Sequence, residues 1–190
     1  MEELKRRILE EGVVLPGSVL KVDSFLNHQI DPELSMVMGR EIARLFRDAA
    51  VDRVLTVEAS GIAVGLCAAY AIGVPLVFAK KSRSVLMTED AWTAPVYSYT
   101  KKTENTISVL KRFLPAGESV LIVDDFLANG EAALGMASLV EQAGARVAGI
   151  AVAVDKAFQA GHDRLIRAGY RLEPLAVIDS LDGGAVHFRD

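Results

Sequence analysis

The stretch Val120-Leu121-Ile122-Val123-Asp124-Asp125-Phe126-Leu127-Ala128-Asn129-Gly130-Glu131-Ala132 decides the fold. Four consecutive apolar residues read as a strand buried on both faces, the habit of parallel strands covered by helices. Two adjacent carboxylates follow. A short polar loop with a glycine then opens a helix over 130–143, closed by Gly144. Such a loop turns backbone N–H groups and a helix start toward one point, which suits a phosphate. The two acids suit a pair of vicinal hydroxyls, or a divalent cation held with them. Phosphate and diol together describe a ribose phosphate. Spacing alone leaves a plainer reading open, in which a strand-end acid caps a helix beside an ordinary turn.

Outward from this stretch, strand and helix alternate. Further strands are expected at 54–57, 75–79, 147–154 and 175–178, with another at 106–110. Helices are expected at 2–11, 32–49, 62–72 and 160–168, the second opened by an Asp31 cap and Pro32 at its first turn. The pattern is α/β: a mainly parallel central sheet flanked by helices, in a single domain spanning 1–190. Residues 13–30 and 81–104 are the irregular parts, the latter polar, charged and aromatic with no long apolar period.

In an open α/β sheet, ligands bind beyond the carboxyl ends of the strands. The strand at 54–57 delivers Glu58-Ala59-Ser60-Gly61 there, and the strand at 75–79 delivers Lys80-Lys81. The central strand delivers Asp124 and Asp125 with the loop to Gly130. The strand at 147–154 delivers Asp155-Lys156-Ala157-Phe158. One edge thus gathers acids, lysines, a helix start and an aromatic ring.

Composition narrows the function. The chain has 190 residues, 51% hydrophobic and 24% charged, enough apolar content for a sizeable core. A net charge of −4 disfavours a general nucleic-acid binder. One cysteine, Cys67, excludes an internal disulfide and fits a reducing compartment, so a cytoplasmic protein is expected. The charged amphipathic start at Met1 does not read as a secretory signal. Residues 60–79 carry no charge and imitate a membrane span, but Gly73-Val74-Pro75 cuts them into a short helix and a strand. No membrane and no nucleic acid are therefore expected as partners. A nucleotide-binding kinase would need a Gly-rich loop ending in Lys-Ser/Thr, which is missing.

The quoted stretch resembles the phosphoribosyl-pyrophosphate motif of the type I phosphoribosyltransferases. Val22-Asp23-Ser24-Phe25-Leu26-Asn27-His28-Gln29-Ile30-Asp31, Glu58-Ala59-Ser60-Gly61-Ile62-Ala63 and Asp155-Lys156-Ala157-Phe158 are similar to the bacterial branch whose purine is xanthine. The likeness runs from Leu4 to about Leu181. It implies the type I phosphoribosyltransferase fold, with residues 1–30 contributing to a small hood over the base and 81–104 forming a flexible loop over the site. It implies transfer of a phosphoribosyl group from phosphoribosyl pyrophosphate to xanthine, with pyrophosphate released. Another purine on the same scaffold, or a regulator that only senses the donor, are the alternatives.

The resemblance also assigns roles. Asp124 and Asp125 contact the ribose hydroxyls, and Ala128, Asn129, Gly130, Glu131 and Ala132 wrap the 5′-phosphate. Ala59, Ser60 and Gly61 receive the pyrophosphate, whose charge Lys80 or Lys81 neutralises. Leu20, Asn27 and Lys156 contact the base, and Phe158 packs on it. Mg²⁺ arrives chelated by the donor, with no protein-only metal site, and a homodimer is expected. This sequence departs from many relatives in lacking threonine at Asn129 and Ala132, so backbone amides and the Asn129 side-chain amide must serve the phosphate. Ala128 stands where hypoxanthine–guanine enzymes carry an aspartate, which leaves the general base unassigned.

The remaining candidates have bland readings. His28, His162 and His187 lack metal-ligand spacing and read as surface or loop residues. Cys67 reads as a buried, inert thiol. Trp92, Tyr97 and Tyr99 read as anchors of the hood or of a dimer contact rather than as base platforms. Lys156 has an alternative as a solvated strand-end lysine paired to Asp155.

Overall fold

The computed structural model describes residues 1–81, 90–98 and 103–189. A six-stranded sheet forms its centre, built from β3 (Arg53–Val57), β4 (Leu76–Ala79), β7 (Ser119–Leu127), β8 (Arg146–Lys156), β9 (Leu172–Ser180) and β10 (His187–Phe188). The order across the sheet is β10-β9-β8-β7-β3-β4. All neighbours run parallel except β10, which returns antiparallel on β9. Two small antiparallel ribbons complete the strands: β1 (Val13–Leu15) with β2 (Val19–Lys21), and β5 (Ala91–Ser98) with β6 (Thr103–Leu110). The helices are α1 (Glu2–Glu11), α2 (Pro32–Leu45), α3 (Gly61–Ile72), α4 (Glu131–Gln142) and α5 (Gly161–Arg167). This is the mainly parallel, helix-flanked α/β sheet that the sequence pattern implied.

The central strand shows why both faces had to be apolar. Leu121 and Val123 enter one core with Leu4, Met38, Ile42 and Val64 from α1, α2 and α3. Val120 and Ile122 enter a second core with Met136, Leu139 and Val140 of α4, and with Ile107 and Val109 of β6. Alternate residues feed opposite faces, as a period of two demands. Asp31 caps α2 by accepting from the N–H groups of Glu33 and Leu34. Gly73, with φ at +87°, ends α3 where the apolar run breaks.

Several boundaries differ from those expected. Strand β7 continues through Asp124 and Asp125 to Leu127, because β8 is long enough to pair with it as far as Asp155. The acids lie within the sheet rather than beyond it. Helix α2 stops at Leu45, not at 49, and the chain turns so that Phe46 is buried below the Arg171 guanidinium, 4.6 Å from its ring. Part of 81–104 is a regular ribbon, since Ala94 and Val96 pair with Ile107 and Asn105 and the ribbon packs on α4. The expected flexibility of that loop falls largely on residues 82–89 and 99–102, which lie outside the described ones.

Helices α2 and α3 pack closely through Gly39. A Cβ there would lie 2.4 Å from the Cys67 carbonyl carbon and 2.5 Å from its oxygen. Two effects compete in Gly39→Ala. Helix propensity favours alanine by about 1 kcal/mol, and overpacking against a rigid backbone costs about 1–3 kcal/mol. Overpacking should win. Gly39→Ala is expected to lower the thermal midpoint, and a raised midpoint in a melting experiment would contradict this contact.

Candidate functional site

Sheet order reverses between β3 and β7. From β3 the chain proceeds outward to β4, and from β7 it proceeds the other way to β8 and β9. A crevice opens at such a switch point, beyond the strand ends. Here it is a cavity of about 490 Å³, walled by Asp124, Phe126, the turn 127–133, Lys81 and the β5–β6 ribbon.

Asp124 lines this cavity and Asp125 follows it in β7. Asp124 and Asp125 are each only 6% exposed. Asp124 Oδ1 accepts from the Asp125 N–H at 2.9 Å, and Asp125 Oδ1 accepts from the Ser60 hydroxyl at 2.9 Å. Burial pushes the Asp124 carboxyl well above the usual carboxylate range, and the neighbouring Asp125 charge pushes the same way. The loop after β3 closes on this pair. A Cβ on Gly61 would sit 2.2 Å from Thr56 Oγ1 and 2.6 Å from Asp124 Oδ1, so only glycine lets α3 start there. The Glu58–Ala59 peptide in this loop is cis. Lys81 lines the cavity, and its N–H donates to Glu58 Oε1 at 2.7 Å. Lys80 is exposed, and its backbone is bridged to Ser108 of β6.

Ala128, Asn129, Gly130, Glu131 and Ala132 all line the cavity. Gly130 takes a φ of +83° and α4 begins at the next residue. The turn is braced from outside: Ala128 O accepts from the Gly161 N–H at 2.9 Å, and Asn129 O accepts from Arg164 Nη1 at 2.6 Å. The wrap expected from the resemblance is therefore a turn with its carbonyls occupied on the far side.

The base-contacting candidates are less concentrated. Lys156 Nζ lies 5.4 Å from the centre of the Phe126 ring and donates to Ser18 O at 3.2 Å, and burial lowers its pKa. Phe126 lines the cavity, so Lys156 stands at its margin. Leu20 is buried in the first core, Asn27 is exposed at the end of a π-helical turn (Asp23–Asn27), and Phe158 is 37% exposed. No described contact joins these three to the cavity wall.

Three readings of single residues need correction. Lys156 does not pair with Asp155. Consecutive strand residues point to opposite faces, and Asp155 Oδ2 instead meets His162 Nδ1 at 2.5 Å. His162 is accordingly not a plain surface histidine. It partners a carboxylate with no solvent exposure, whose pKa burial raises. Cys67 is half-buried rather than buried, and desolvation raises its thiol pKa, which keeps it inert. His28 and His187 are exposed as expected. Trp92 packs on the second core beneath the Lys111 ammonium, 4.9 Å from its ring, as an anchor of the ribbon. Tyr97 lines the cavity, and Tyr99 lies outside the described residues.

The sequence reading missed Phe126 and the two braces at Gly161 and Arg164. Phe126 could have been found, following the two acids directly in the strand that carries Asp124 to the cavity. Gly161 and Arg164 lie more than thirty residues from the turn they support and carry no local signal. Among the described residues no group of three or more His, Cys, Asp or Glu could hold a metal ion.

Residues 28–168 match the phosphoribosyl transferase domain family. The chain is 60% identical over 188 residues to a xanthine phosphoribosyltransferase of Lactobacillus delbrueckii subsp. bulgaricus, covering 99% of this chain and 100% of that protein. It is 54% identical over 188 residues to a xanthine phosphoribosyltransferase of Bacillus licheniformis, covering 99% and 97%. Among solved structures, the adenine phosphoribosyltransferase of Rhodothermus marinus superposes with a TM-score of 0.74 at 22% identity, covering 93% of this chain and 99% of that one.

The Asp124 shift has a testable sign. A carboxyl whose folded-state pKa lies above its unfolded value binds more protons when folded, between those two values. Its contribution favours folding at low pH and is lost as pH rises through the folded-state value. At neutral pH the buried charge opposes folding. Asp124→Asn should therefore raise the ligand-free thermal midpoint at pH 7, by about 2–4 °C for each 1 kcal/mol relieved, and the gain should shrink in acid. A fall in the midpoint at pH 7 would make the carboxylate a structural support.

Proposed function

The chain belongs to the phosphoribosyltransferase family, and on that premise we propose that it moves the 5-phosphoribosyl group of phosphoribosyl pyrophosphate onto xanthine, yielding xanthosine 5′-monophosphate and pyrophosphate. The observation that carries this reading is that Asp124 and the turn 128–132 line one cavity, with the buried Asp125 beside Asp124 in the same strand. Carboxylates accept from two vicinal hydroxyls, and amides at a helix start donate to a phosphate.

The ribose hydroxyls are assigned to Asp124 and Asp125, and the 5′-phosphate to the turn 128–132. The pyrophosphate is assigned to Ala59, Ser60 and Gly61, with Lys81 at the cavity wall and Lys80 behind it as its counter-charges. Departure of pyrophosphate builds positive character at the anomeric carbon, as in glycoside cleavage. The chain's task is to hold the purine nitrogen in line and to stabilise the leaving anion. Two neighbouring carboxylates, fewer than a cage needs, suit Mg²⁺ that arrives with the donor's phosphates and keeps most of its water. When bound, the ion would neutralise charge on the leaving group.

For the base, Lys156 supplies a cation at the cavity margin, beside the Phe126 ring. Xanthine carries oxygens at positions 2 and 6 and loses a proton easily, so an ammonium donor favours it. The 60% identity to a xanthine-named relative supports the same choice. Asn27, Leu20 and Phe158 keep the base-side roles that the resemblance suggests. Ser18 O, which holds Lys156, ties the first thirty residues to that side of the cavity. A lone cysteine suits the reducing cytoplasm as the place of work. No helix among the described residues is long and apolar enough to cross a membrane.

A second copy of the chain is the proposed partner. Leu66 and Tyr70 stand one turn apart on α3, 56% and 76% exposed, and Phe78 on the edge strand β4 is 40% exposed. Sedimentation should give a dimer, and Tyr70→Glu should shift it toward monomer. Sedimentation as a monomer at micromolar concentration would remove this partner.

With donor present, pyrophosphate release should be fastest with xanthine among xanthine, guanine, hypoxanthine and adenine. Equal or faster turnover of adenine would overturn the choice of base. Lys156→Ala should raise KM for xanthine by about tenfold or more, the scale of one charge-assisted hydrogen bond, with a much smaller change for the donor. Matching increases for both substrates would move Lys156 away from the base.

A further inference from the structure

The turn that would receive the 5′-phosphate contains a carboxylate. Glu131 is the first residue of α4 and lines the cavity. A negative side chain suits a helix start, but it opposes an anion bound at the same place. The turn also lacks any hydroxyl donor from residue 128 to 132, so its affinity rests on the direction of its backbone amides, with the Asn129 side chain as the one further donor.

One side chain answers both difficulties. Arg164 Nη1 pairs with Glu131 Oε1 and donates to Asn129 O at 2.6 Å. The preceding carbonyl, Ala128 O, is held by the Gly161 N–H at 2.9 Å. There is no slack behind these contacts. A Cβ on Gly161 would lie 2.5 Å from Ala128 O and 2.7 Å from Gly130 N, and a Cβ on Gly130 would lie 3.1 Å from Gly161 Cα. When successive carbonyls of a turn are held on one side, the amides are left to face the other.

We propose that Arg164 is a positioning residue for the donor's 5′-phosphate, fixing the turn 128–130 in its amide-presenting shape and holding the Glu131 carboxylate off the anion. This deepens the assignment of the cavity to a phosphoribosyl donor and rests on it. Arg164 acts through Asn129 and Glu131 and touches no reacting atom. Its loss weakens donor binding in two separable ways: the turn relaxes, and a free carboxylate competes with the phosphate.

The test uses the full chain and three variants, with ribose 5-phosphate as a binding probe and steady-state kinetics with xanthine. Arg164→Met keeps the aliphatic stem and removes both contacts. It is expected to raise donor KM and the ribose 5-phosphate dissociation constant by about tenfold, the scale of a charge-assisted hydrogen bond. The xanthine KM and kcat at saturating donor should stay within about twofold, since no transition-state contact is removed. Adding Glu131→Gln to Arg164→Met should recover part of the lost affinity, because the repulsion goes even though the brace stays absent. A merely structural role would lower stability without this split or this recovery. Unchanged donor affinity in Arg164→Met, equal losses for both substrates, or no recovery in the double variant would each overturn the proposal. Should Arg164→Met fail to fold, Arg164→Lys decides. It keeps the charge without the two-way grip, and donor KM should rise about threefold, whereas a wild-type value overturns the proposal. If the unaltered chain binds neither ribose 5-phosphate nor the donor, the assigned function fails first, and the two failures remain distinct.

Discussion

The structure depends on placing two carboxylates inside an apolar parallel sheet. Strand β7 has neighbours on both sides and helices over both faces, a poor setting for charge. Burial disfavours the ionised form of Asp124, and Asp125 adds to the penalty. The fold tolerates this because apolar residues flank the pair along the same strand. Val120, Leu121, Ile122 and Val123 have no measurable exposure and keep the ladder registered with β3 and β8. The position also lies at the switch point between β3 and β7. A destabilised pair held by a rigid strand is poised for hydroxyl donors that the protein itself does not fully provide.

Close backbone approach is the second constraint, and it appears wherever a loop meets a strand end. Gly61 lets α3 begin against Thr56 and Asp124, and Gly161 lets α5 begin against the turn 128–130. Each removes the one atom that would hold the segments apart. The second of these contacts backs a turn, 128–130, that lines the cavity. The two cores supply the rigidity, α3 from one face and α4 from the other.

Much of this was legible in the chain itself. The run 120–123 announced a strand buried on two faces, and the Asp-Asp-loop-Gly order announced the turn and the start of α4. The Asp31-Pro32 start of α2 and the Gly73 break after α3 followed from backbone chemistry alone. The missing parts are those set by distant partners. β7 runs on to Leu127 because β8 is there to pair with it. The β5–β6 ribbon alternates too weakly to declare itself, and it is stabilised by packing on α4. Arg164 and Gly161 brace a turn far away along the chain, which only the assembled sheet makes visible.

The end of β8 shows how one periodic rule separates neighbouring roles. Asp155 and Lys156 are adjacent in sequence and opposite in charge, and a sequence reading invites a pair. On a strand they face apart. Asp155 turns inward to His162, retaining one oxygen without a partner, while Lys156 turns to the face shared with the Phe126 ring and the Ser18 carbonyl. A Lys156–Asp155 ion pair would neutralise the ammonium. The pleat prevents that, and desolvation lowers the pKa of an ammonium that pairs with no carboxylate among the described residues. Such a cation at the rim of a purine-sized cavity favours a base that brings its own negative charge. Base selection on this reading follows from the geometry that places Asp155 and Lys156 on opposite faces of one strand.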